Sequence, residues 1–155
     1  MGRPSRKLGL LALAFLAMGP ATMADEEGNL NVGTVAVKVS GFRNRKGQVC
    51  VSLFDSKKGF PTDYTEALRT HRGAIKGNTV NLYFNNVPPG KYAIAVLHDE
   101  NMNKKMDTTL FGFPKEGAGV SNNPKPRRGP PRHTDAEFVL GGNPLKLQIK
   151  IQYPN

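Results

Sequence analysis

Apolar and polar residues alternate with a period of two along much of the chain. In residues 31–42, Val35, Val37 and Val39 share one face, and the residues between them are small or polar. In residues 145–153, leucines and isoleucines alternate strictly with lysines and glutamines. This period is typical of β-strands that bury one face and expose the other. Similar signals predict further strands at residues 48–54, 73–76, 78–85, 91–98 and 136–140.

The segments between these strands carry turn residues. Residues 43–47 (RNRKG) are polar and end in glycine, which predicts a hairpin joining the first two strands. Thr62 can cap a short helix over Asp63 to Arg69. Residues 91–98 are apolar on both faces, which indicates a central strand. Residues 99–134 are rich in Gly, Pro and Asn and predict one long ordered loop, and such loops tend to be functional.

About seven short strands with Gly/Pro turns and one short helix predict an all-β protein. The expected architecture is an antiparallel β-sandwich of the immunoglobulin-like or transthyretin-like kind. Residues 30–155 are expected to form this single domain.

The first residues have the three-part pattern of a secretory signal. Arg3, Arg6 and Lys7 precede an uncharged apolar run, and Thr22-Met23-Ala24 provides small residues for cleavage. We therefore expect residues 1–24 to be a signal peptide and residues 25–29 a short acidic linker. The apolar run is too short to cross a bilayer, and no other segment could do so. The sequence thus predicts a periplasmic or secreted protein that is not an integral membrane protein.

The chain is basic, with a formal net charge of +10. This charge is either a solvated surface or an attraction for anionic partners, such as a glycan or lipid headgroup of the envelope. Export argues against nucleic acid as the partner. Cys50 is the only cysteine, so no intramolecular disulfide can form. Its place in a strand pattern indicates a small core residue or an edge thiol rather than a nucleophile.

Two stretches carry a family resemblance. Residues 87–124 (VPPGKYAIAVLHDENMNKKMDTTLFGFPKEGAGVSNNP), with RRGPP after them, closely resemble the bacterial family known as domain of unknown function 2141. Residues 41–61 (GFRNRKGQVCVSLFDSKKGFP) are similar to that family's first hairpin and turn. The resemblance implies an exported envelope protein. The Pro-Pro-Gly-Lys-Tyr strand also resembles transthyretin-like and carboxypeptidase-regulatory-like sandwiches. No reaction is implied.

Oxygen-bearing side chains recur at alternate positions from Asp99 onward. Such spacing lets them converge on a hard cation, and calcium prefers six to eight oxygens. The pattern departs from a full calcium loop, because Lys104 stands where glycine is favoured and Leu110 where an acid is needed. The alternative is an Asx-rich turn that satisfies its own backbone without metal. The predicted calcium ligands are Asp99, Asn101, Asn103, the carbonyl of Lys105, Asp107 and Glu116.

Two metal-dependent alternatives use His98. His98, Met102, Met106 and His133 offer the imidazole and thioether groups that suit copper. A metal-dependent hydrolase would instead use His98, Asp99 and His133 around a pocket. Both need the two histidines to meet at one end of the sandwich. Otherwise His98 binds a loop carbonyl and the methionines pack on the sheet.

Residues 124–133 (PKPRRGPPRH) concentrate cations on a proline-stiffened backbone. Lys125, Arg127, Arg128 and Arg132 could bind a phosphate or carboxylate, and arginine does so with two parallel bonds. The alternative is a solvated loop. No nucleophile elbow, HExxH motif or phosphate-binding glycine loop is present. The sequence favours a non-catalytic binding or accessory module that acts through residues 99–134.

Overall fold

A computed structural model describes residues 31–154. The expected signal peptide (1–24) and acidic linker (25–29) lie outside these residues. The described chain contains one short helix, α1 (His133–Ala136), and a single 3-10 turn (Tyr64–Glu66). Its eight strands are β1 (Gly33–Ser40), β2 (Gln48–Phe54), β3 (Arg69–Ala74), β4 (Thr79–Val87), β5 (Gly90–Asp99), β6 (Gly117–Val120), β7 (Phe138–Leu140) and β8 (Leu145–Lys150).

The strands form two sheets, so the protein is an all-β sandwich. One sheet has the order β4-β1-β8, and the other has the order β3-β2-β5-β6, with β7 pairing with the start of β5. All pairings are antiparallel except that of β1 with β8, which is parallel. Parallel neighbours need a long connection. Here nearly the whole domain lies between these first and last strands.

The main core fills the space between the two sheets. Val35, Val37 and Val39 of β1 are buried there, together with Ile149 and Ile151 near the C-terminus. The strand β5 is buried along nearly its whole length, which confirms it as a central strand. Its alternate residues Ala93 and Ala95 point to the outer face and join a second cluster with Phe54, Val120 and Ala136.

The predicted hairpin between the first two strands is wrong. The strand β1 pairs with β4 and β8, while β2 pairs with β3 and β5 in the other sheet. Residues 41–47 therefore carry the chain from one sheet to the other. Seven residues can easily cross the gap of about 10 Å between packed sheets. A polar, glycine-containing connection permits such a crossing as readily as a hairpin.

The predicted helix over residues 63–69 is reduced to the 3-10 turn. Asp63, rather than Thr62, caps it, because the Asp63 carboxylate accepts the backbone N–H of Thr65. Arg69 already belongs to β3, which pairs with β2 along six residues. Hydrogen bonds between strands thus replace the helical hydrogen bonds that the local sequence favoured.

The predicted loop 99–134 contains a strand. Gly117 and Gly119 of β6 face the core, where an added Cβ would overlap Tyr153 and Ile151 or the backbone of Lys150. Ala118 exchanges two backbone hydrogen bonds with Gln152, of 2.9 and 2.8 Å, which join the two sheets at this edge. The glycines permit this close approach. They also remove the apolar alternation by which the strand could have been predicted.

Within the described residues, no helix is both long enough and apolar enough to cross a membrane.

Candidate functional site

The functional candidates lie on two excursions from the edge of the five-stranded sheet. The first, residues 100–116, connects β5 to β6, and the second, residues 121–132, connects β6 to α1. We name three parts of them. The Asx loop is residues 99–107, the tip hairpin is residues 107–115, and the basic strap is residues 124–132.

The Asx loop is organised around the carboxylate of Asp99, which is fully buried. One oxygen accepts the backbone N–H of Asn103 at 3.0 Å, and the other accepts the N–H of Lys104 at 2.9 Å. The side-chain amide of Gln48 donates to the second oxygen at 2.8 Å. Three donors thus stabilise the charge that burial would otherwise disfavour.

Amide side chains complete the Asx loop. Asn101 and Asn103 each accept a backbone N–H two residues further on, at 3.2 and 2.9 Å. Their NH₂ groups both donate to the carboxylate of Asp107. Glu116 is buried, and its two oxygens accept the backbone N–H groups of Glu100 and Asp107 at 2.9 and 3.1 Å.

The arrangement gathers the predicted calcium ligands but uses them for the backbone. Asp99, Asn101, Asn103, Asp107 and Glu116 all belong to one hydrogen-bond network. Residue 105 contributes its N–H to the network through Asn103. Within residues 31–154, no group of three or more His, Cys, Asp or Glu side chains is placed to hold a metal ion. The network can therefore stand as an Asx-rich turn.

The tip hairpin projects a short apolar segment into solvent. Thr109 donates its N–H to Phe113 at 2.8 Å, and Lys115 donates to Asp107 at 2.8 Å. At the tip, Leu110 is fully exposed, and Phe111 and Phe113 are 87% and 67% exposed. Exposed hydrophobic residues in a group, rather than singly, mark an interaction surface.

The predicted anion-binding cations do not share one place. Lys125 and Arg127 line the cleft described below, whereas Arg128 is exposed and does not. Arg132 forms an ion pair with Asp135, with Nε 3.1 Å from Oδ2. This pair lowers the pKa of Asp135, chiefly through the hydrogen bond from Arg132. Of the four predicted anion-binding residues, only Lys125 and Arg127 therefore line the cleft.

A cleft of about 990 Å³ lies over the outer face of β5 and β6. Its floor includes Ala95 and Ala118, whose small side chains leave room above the sheet. The tip hairpin, the basic strap and residues 61–65 provide its sides, with Phe111 and Phe113 among the lining groups. Five cations also line it, namely Lys104, Lys105, Lys125, Arg127 and Lys150. Two acids, Asp63 and Asp135, line it as well, so the cleft combines apolar walls with a net positive charge.

The structure does not bring His98 and His133 together. His98 faces the core, with Nδ1 2.6 Å from the Tyr153 hydroxyl and Nε2 2.8 Å from the carbonyl of Lys46. His133 packs against Phe60, whose ring meets that of Phe54 edge to face beside the far end of β5. About five residues of strand, or roughly 16 Å, separate these positions. Neither the copper set nor the hydrolase set is assembled.

The other two copper candidates are also apart from His98. Met102 is 60% exposed, and Met106 lines the cleft on the outer face of the sheet. Asp99, the third hydrolase residue, follows His98 directly, so the two side chains point to opposite faces of the strand.

Burial and ion pairing shift three pKa values near this site. Desolvation raises the pKa of the Cys50 thiol and that of the Tyr64 hydroxyl, which lines the cleft. Desolvation also acts on Glu100, but hydrogen bonds from Arg43 and Asn44 outweigh it and lower the pKa of that carboxyl. The neutral Cys50 and the ionised Glu100 are thereby both favoured.

Sequence reasoning missed the tip hairpin and the buried Ser121. The signal for the hairpin was present, since Leu110, Phe111 and Phe113 stand close together in an otherwise polar loop. Ser121 gave no signal. Its hydroxyl accepts the N–H of Ile94 at 2.9 Å and donates to the carbonyl of Ala136, so it ties the second excursion to the sheet.

These observations define a two-sheet β-sandwich protein with a basic and apolar cleft between edge loops. The chain belongs to the family described as uncharacterized protein conserved in bacteria (DUF2141), whose profile matches residues 37–148. No curated protein and no solved structure matches the chain.

Proposed function

We propose that this protein is a non-catalytic binding module of the bacterial cell envelope, which holds an anionic and partly apolar molecule in the cleft. The cleft of about 990 Å³ is the observation that carries the proposal. Its volume lies at the upper end of the range of small-molecule sites, about 300–1,000 Å³. The location in the envelope rests on the signal-like residues 1–24.

The lining supports a lipid-like ligand over a glycan. A glycan needs many hydrogen-bonding side chains, because each buried hydroxyl must be satisfied. Polar side chains such as Thr108 and Asn123 line part of the cleft, but most of its surface is apolar, and cations such as Lys125 lie beside it. An acyl chain would cover the apolar floor, and its acidic headgroup would meet the cations.

A non-catalytic role is supported by how the side chains of His98, Asp99 and Glu116 are engaged, although the buried Nε2 of His133 has no hydrogen-bond partner among the described residues. Both ring nitrogens of His98 have partners within the core. The carboxylates of Asp99 and Glu116 accept backbone N–H groups. A general base needs a free position facing a bound substrate.

Isothermal titration with decanoate, decanol and acetate tests the proposal. Decanoate should bind more tightly than either of the others, since it alone has both an apolar chain and a charge. The double variant Lys125→Gln/Arg127→Gln should weaken decanoate binding about tenfold or more and leave decanol unchanged. Ala118→Phe, which fills the floor, should weaken both.

Arg45→Gln/Lys57→Gln is the matched control, because it removes two exposed cations that do not line the cleft. It should leave decanoate binding unchanged. Equal affinity of the wild type for decanoate and acetate, or equal loss in the control, would refute the proposal.

We further propose that calcium stabilises the Asx loop. The convergence of Asp99, Asn101, Asn103 and Asp107 in one network supports it. A carboxylate has about four lone-pair sites, so Asp99 and Asp107 each keep acceptor capacity beyond their present bonds. Rotation of the Asn amides would turn their oxygens toward Asp107 and give the oxygen-rich set that calcium prefers.

Equilibrium urea unfolding with calcium or with a chelator tests this second proposal. Calcium at about ten times its dissociation constant should add roughly 1.4 kcal/mol to the free energy of unfolding. Asp107→Asn should abolish the gain, and Asp55→Asn, a change at an exposed aspartate outside the loop, should keep it. An unfolding midpoint that millimolar calcium leaves unchanged would exclude calcium and leave the Asx turn.

A further inference from the structure

The tip hairpin presents the largest group of exposed apolar side chains in residues 31–154. Seven large hydrophobic residues are exposed in this range, and Leu110, Phe111 and Phe113 are three of them within four positions. The other four are scattered over different elements. Exposure of such a group to water is unfavourable, and contact with a partner surface would bury it.

The hairpin holds these side chains outward by its own backbone. Thr109 and Phe113 are joined by a 2.8 Å bond, and the N–H of Gly112 bonds to the carbonyl of Thr109 at 2.9 Å. The Thr109 hydroxyl accepts the N–H of Phe113 at 3.2 Å. The base of the hairpin is anchored through Asp107 to the buried Glu116. The apolar tip is therefore preorganised for contact, which lowers the entropy cost of binding.

The charge around the tip is positive. Lys104, Lys105 and Lys115 are exposed on the adjoining segments. Among the described residues, none of the three forms an ion pair. The two nearby acids are already engaged, since Asp107 receives the Asn amides and Glu116 is buried. An apolar tip with exposed lysines on the adjoining segments is complementary to a surface with an apolar interior and anionic headgroups.

We propose that the tip hairpin docks this protein on the surface of an anionic phospholipid bilayer. Leu110, Phe111 and Phe113 insert at the boundary between headgroups and acyl chains, and the lysines contact the phosphates. The protein lies on the membrane rather than across it. Phe111 and Phe113 also line the cleft, but they are largely exposed, and docking needs no ligand in the cleft. This inference therefore goes beyond the proposed function.

Sedimentation with vesicles tests the proposal, using the chain without residues 1–24. Vesicles of phosphatidylcholine with about one-quarter phosphatidylglycerol should bind the protein, and pure phosphatidylcholine should bind it far less. Lys104→Gln/Lys105→Gln should lower the partition coefficient about 25-fold, at roughly fivefold per lysine. Phe111→Ser/Phe113→Ser should lower it by more than about tenfold. High salt should weaken binding, since the lysines are exposed.

The matched control is Val139→Ser, which removes another exposed apolar residue, on β7. The residue pairs with Lys91 near the start of β5, whereas the Asx loop begins at the other end of that strand. This variant should sediment like the wild type. Ala118→Phe should also sediment like the wild type, even if it abolishes decanoate binding. The docking proposal and the cleft proposal can therefore fail separately.

Fluorescence gives an independent readout of insertion. The chain contains no tryptophan. Phe111→Trp therefore places a single reporter at the tip, and Tyr83→Trp places one on the β4 strand at a side chain that is 54% exposed. Anionic vesicles should shift the emission of the tip reporter to shorter wavelength and leave that of the β4 reporter unchanged.

Three results would overturn the proposal. They are absence of binding to the anionic vesicles, equal binding by the Phe111→Ser/Phe113→Ser variant, and emission that does not shift. Retention of the hairpin variants' circular-dichroism spectrum excludes misfolding as the cause of lost binding. If the protein binds an envelope protein through the tip but not lipid vesicles, the partner is a protein and the bilayer assignment is wrong.

Discussion

The hydroxyl of Tyr153 lies 2.6 Å from Nδ1 of His98, and this contact ties the C-terminal segment to the end of β5. The carbonyl of Lys46 can only accept, so Nε2 of His98 donates to it and Nδ1 accepts from Tyr153. The same phenol oxygen accepts the backbone N–H of Arg43 at 3.1 Å. One chain of hydrogen bonds thus joins the two sheets and the 41–47 crossing.

Tyr153→Phe is expected to lower the free energy of unfolding by about 1–3 kcal/mol, because it leaves Nδ1 of the buried His98 without a partner. Urea unfolding measures the change. Tyr83→Phe, at a side chain that is 54% exposed, is the control and should change stability by less than about 0.5 kcal/mol. Equal effects of the two variants would show that the His98 contact contributes nothing.

Gly117→Ala is expected to destabilise the fold by more than about 2 kcal/mol, since the added Cβ would overlap the Tyr153 ring and Ile151. Gly77→Ala is matched to it, because no atom lies within 4 Å of its added Cβ. That control should be neutral or slightly stabilising. Thermal unfolding of both variants measures the difference. A Gly117→Ala protein as stable as the control would mean that β6 and the C-terminal segment do not pack this closely.

Lys104→Gly is expected to stabilise the Asx loop by about 1 kcal/mol, because Lys104 adopts a φ of 65°, where a side chain is strained. Lys105→Gly also removes a lysine, but at a residue without positive φ, and should be neutral or destabilising. Chemical unfolding compares the two. The prediction fails if both variants change stability in the same direction and by the same amount.

The free energy of unfolding should fall in acid, because protonation of Glu100 would break its ion pair with Arg43. In this pair Nε of Arg43 lies 2.7 Å from Oε1 of Glu100. Hydrogen bonds from Arg43 and Asn44 outweigh desolvation and lower the pKa of Glu100 from its ordinary value of 4.5. A lowered pKa contributes stability that is complete above about pH 4.5 and is lost as the pH falls through the folded-state value.

Arg43→Gln should reduce this acid-induced loss of stability. The measurement is the fall in melting temperature between pH 6 and pH values below about 4, which should be smaller in the variant than in the wild type. Lys58→Gln removes the exposed partner of Glu66 and serves as the control, since exposed pairs contribute little. A profile of Arg43→Gln parallel to that of the wild type would disprove the role of this pair.

Cys50 should resist alkylation in the folded protein. The side chain is 2% exposed, and desolvation raises the pKa of the thiol, so the reactive thiolate is both scarce and inaccessible. Iodoacetamide at mildly alkaline pH should react slowly with the native chain and quickly in urea, as mass spectrometry would record. Rapid native labelling would contradict the buried position.

Much of the sandwich could be predicted from the sequence, because strand burial repeats every two residues. The alternation of Val35, Val37 and Val39 was confirmed as a buried face, and β5 as a central strand. That β1 and β2 lie in different sheets could not be predicted, because the crossing at residues 41–47 has the same composition as a hairpin turn. The strand β6 was also missed, since its core-facing positions are glycines.

The sequence located the candidate site only as a stretch of chain, residues 99–134, and did not show how its side chains are arranged in space. The side chains of Asp99, Asn101, Asn103 and Asp107, whose spacing suggested a shared cation, lie in one hydrogen-bond network. Calcium binding there stays a prediction. The copper and hydrolase alternatives required His98 and His133 to lie together, and the structure places them apart. The sequence could not decide this, because it depends on which ends of two strands coincide. The cleft and the outward apolar tip were not predicted, since both depend on how separate excursions lie over the sheet.

The sequence by itself determined which segments become strands and which loop carries the polar and basic groups, because local periodicity and turn residues act over a few neighbours. Only the tertiary structure decided which strands pair, that Ala95 and Ala118 form a floor, and that Phe111 and Phe113 stand beside lysines at its edge. The physical reason is that these relations join residues far apart in the chain. Packing of the whole domain selects them, and no local pattern records them.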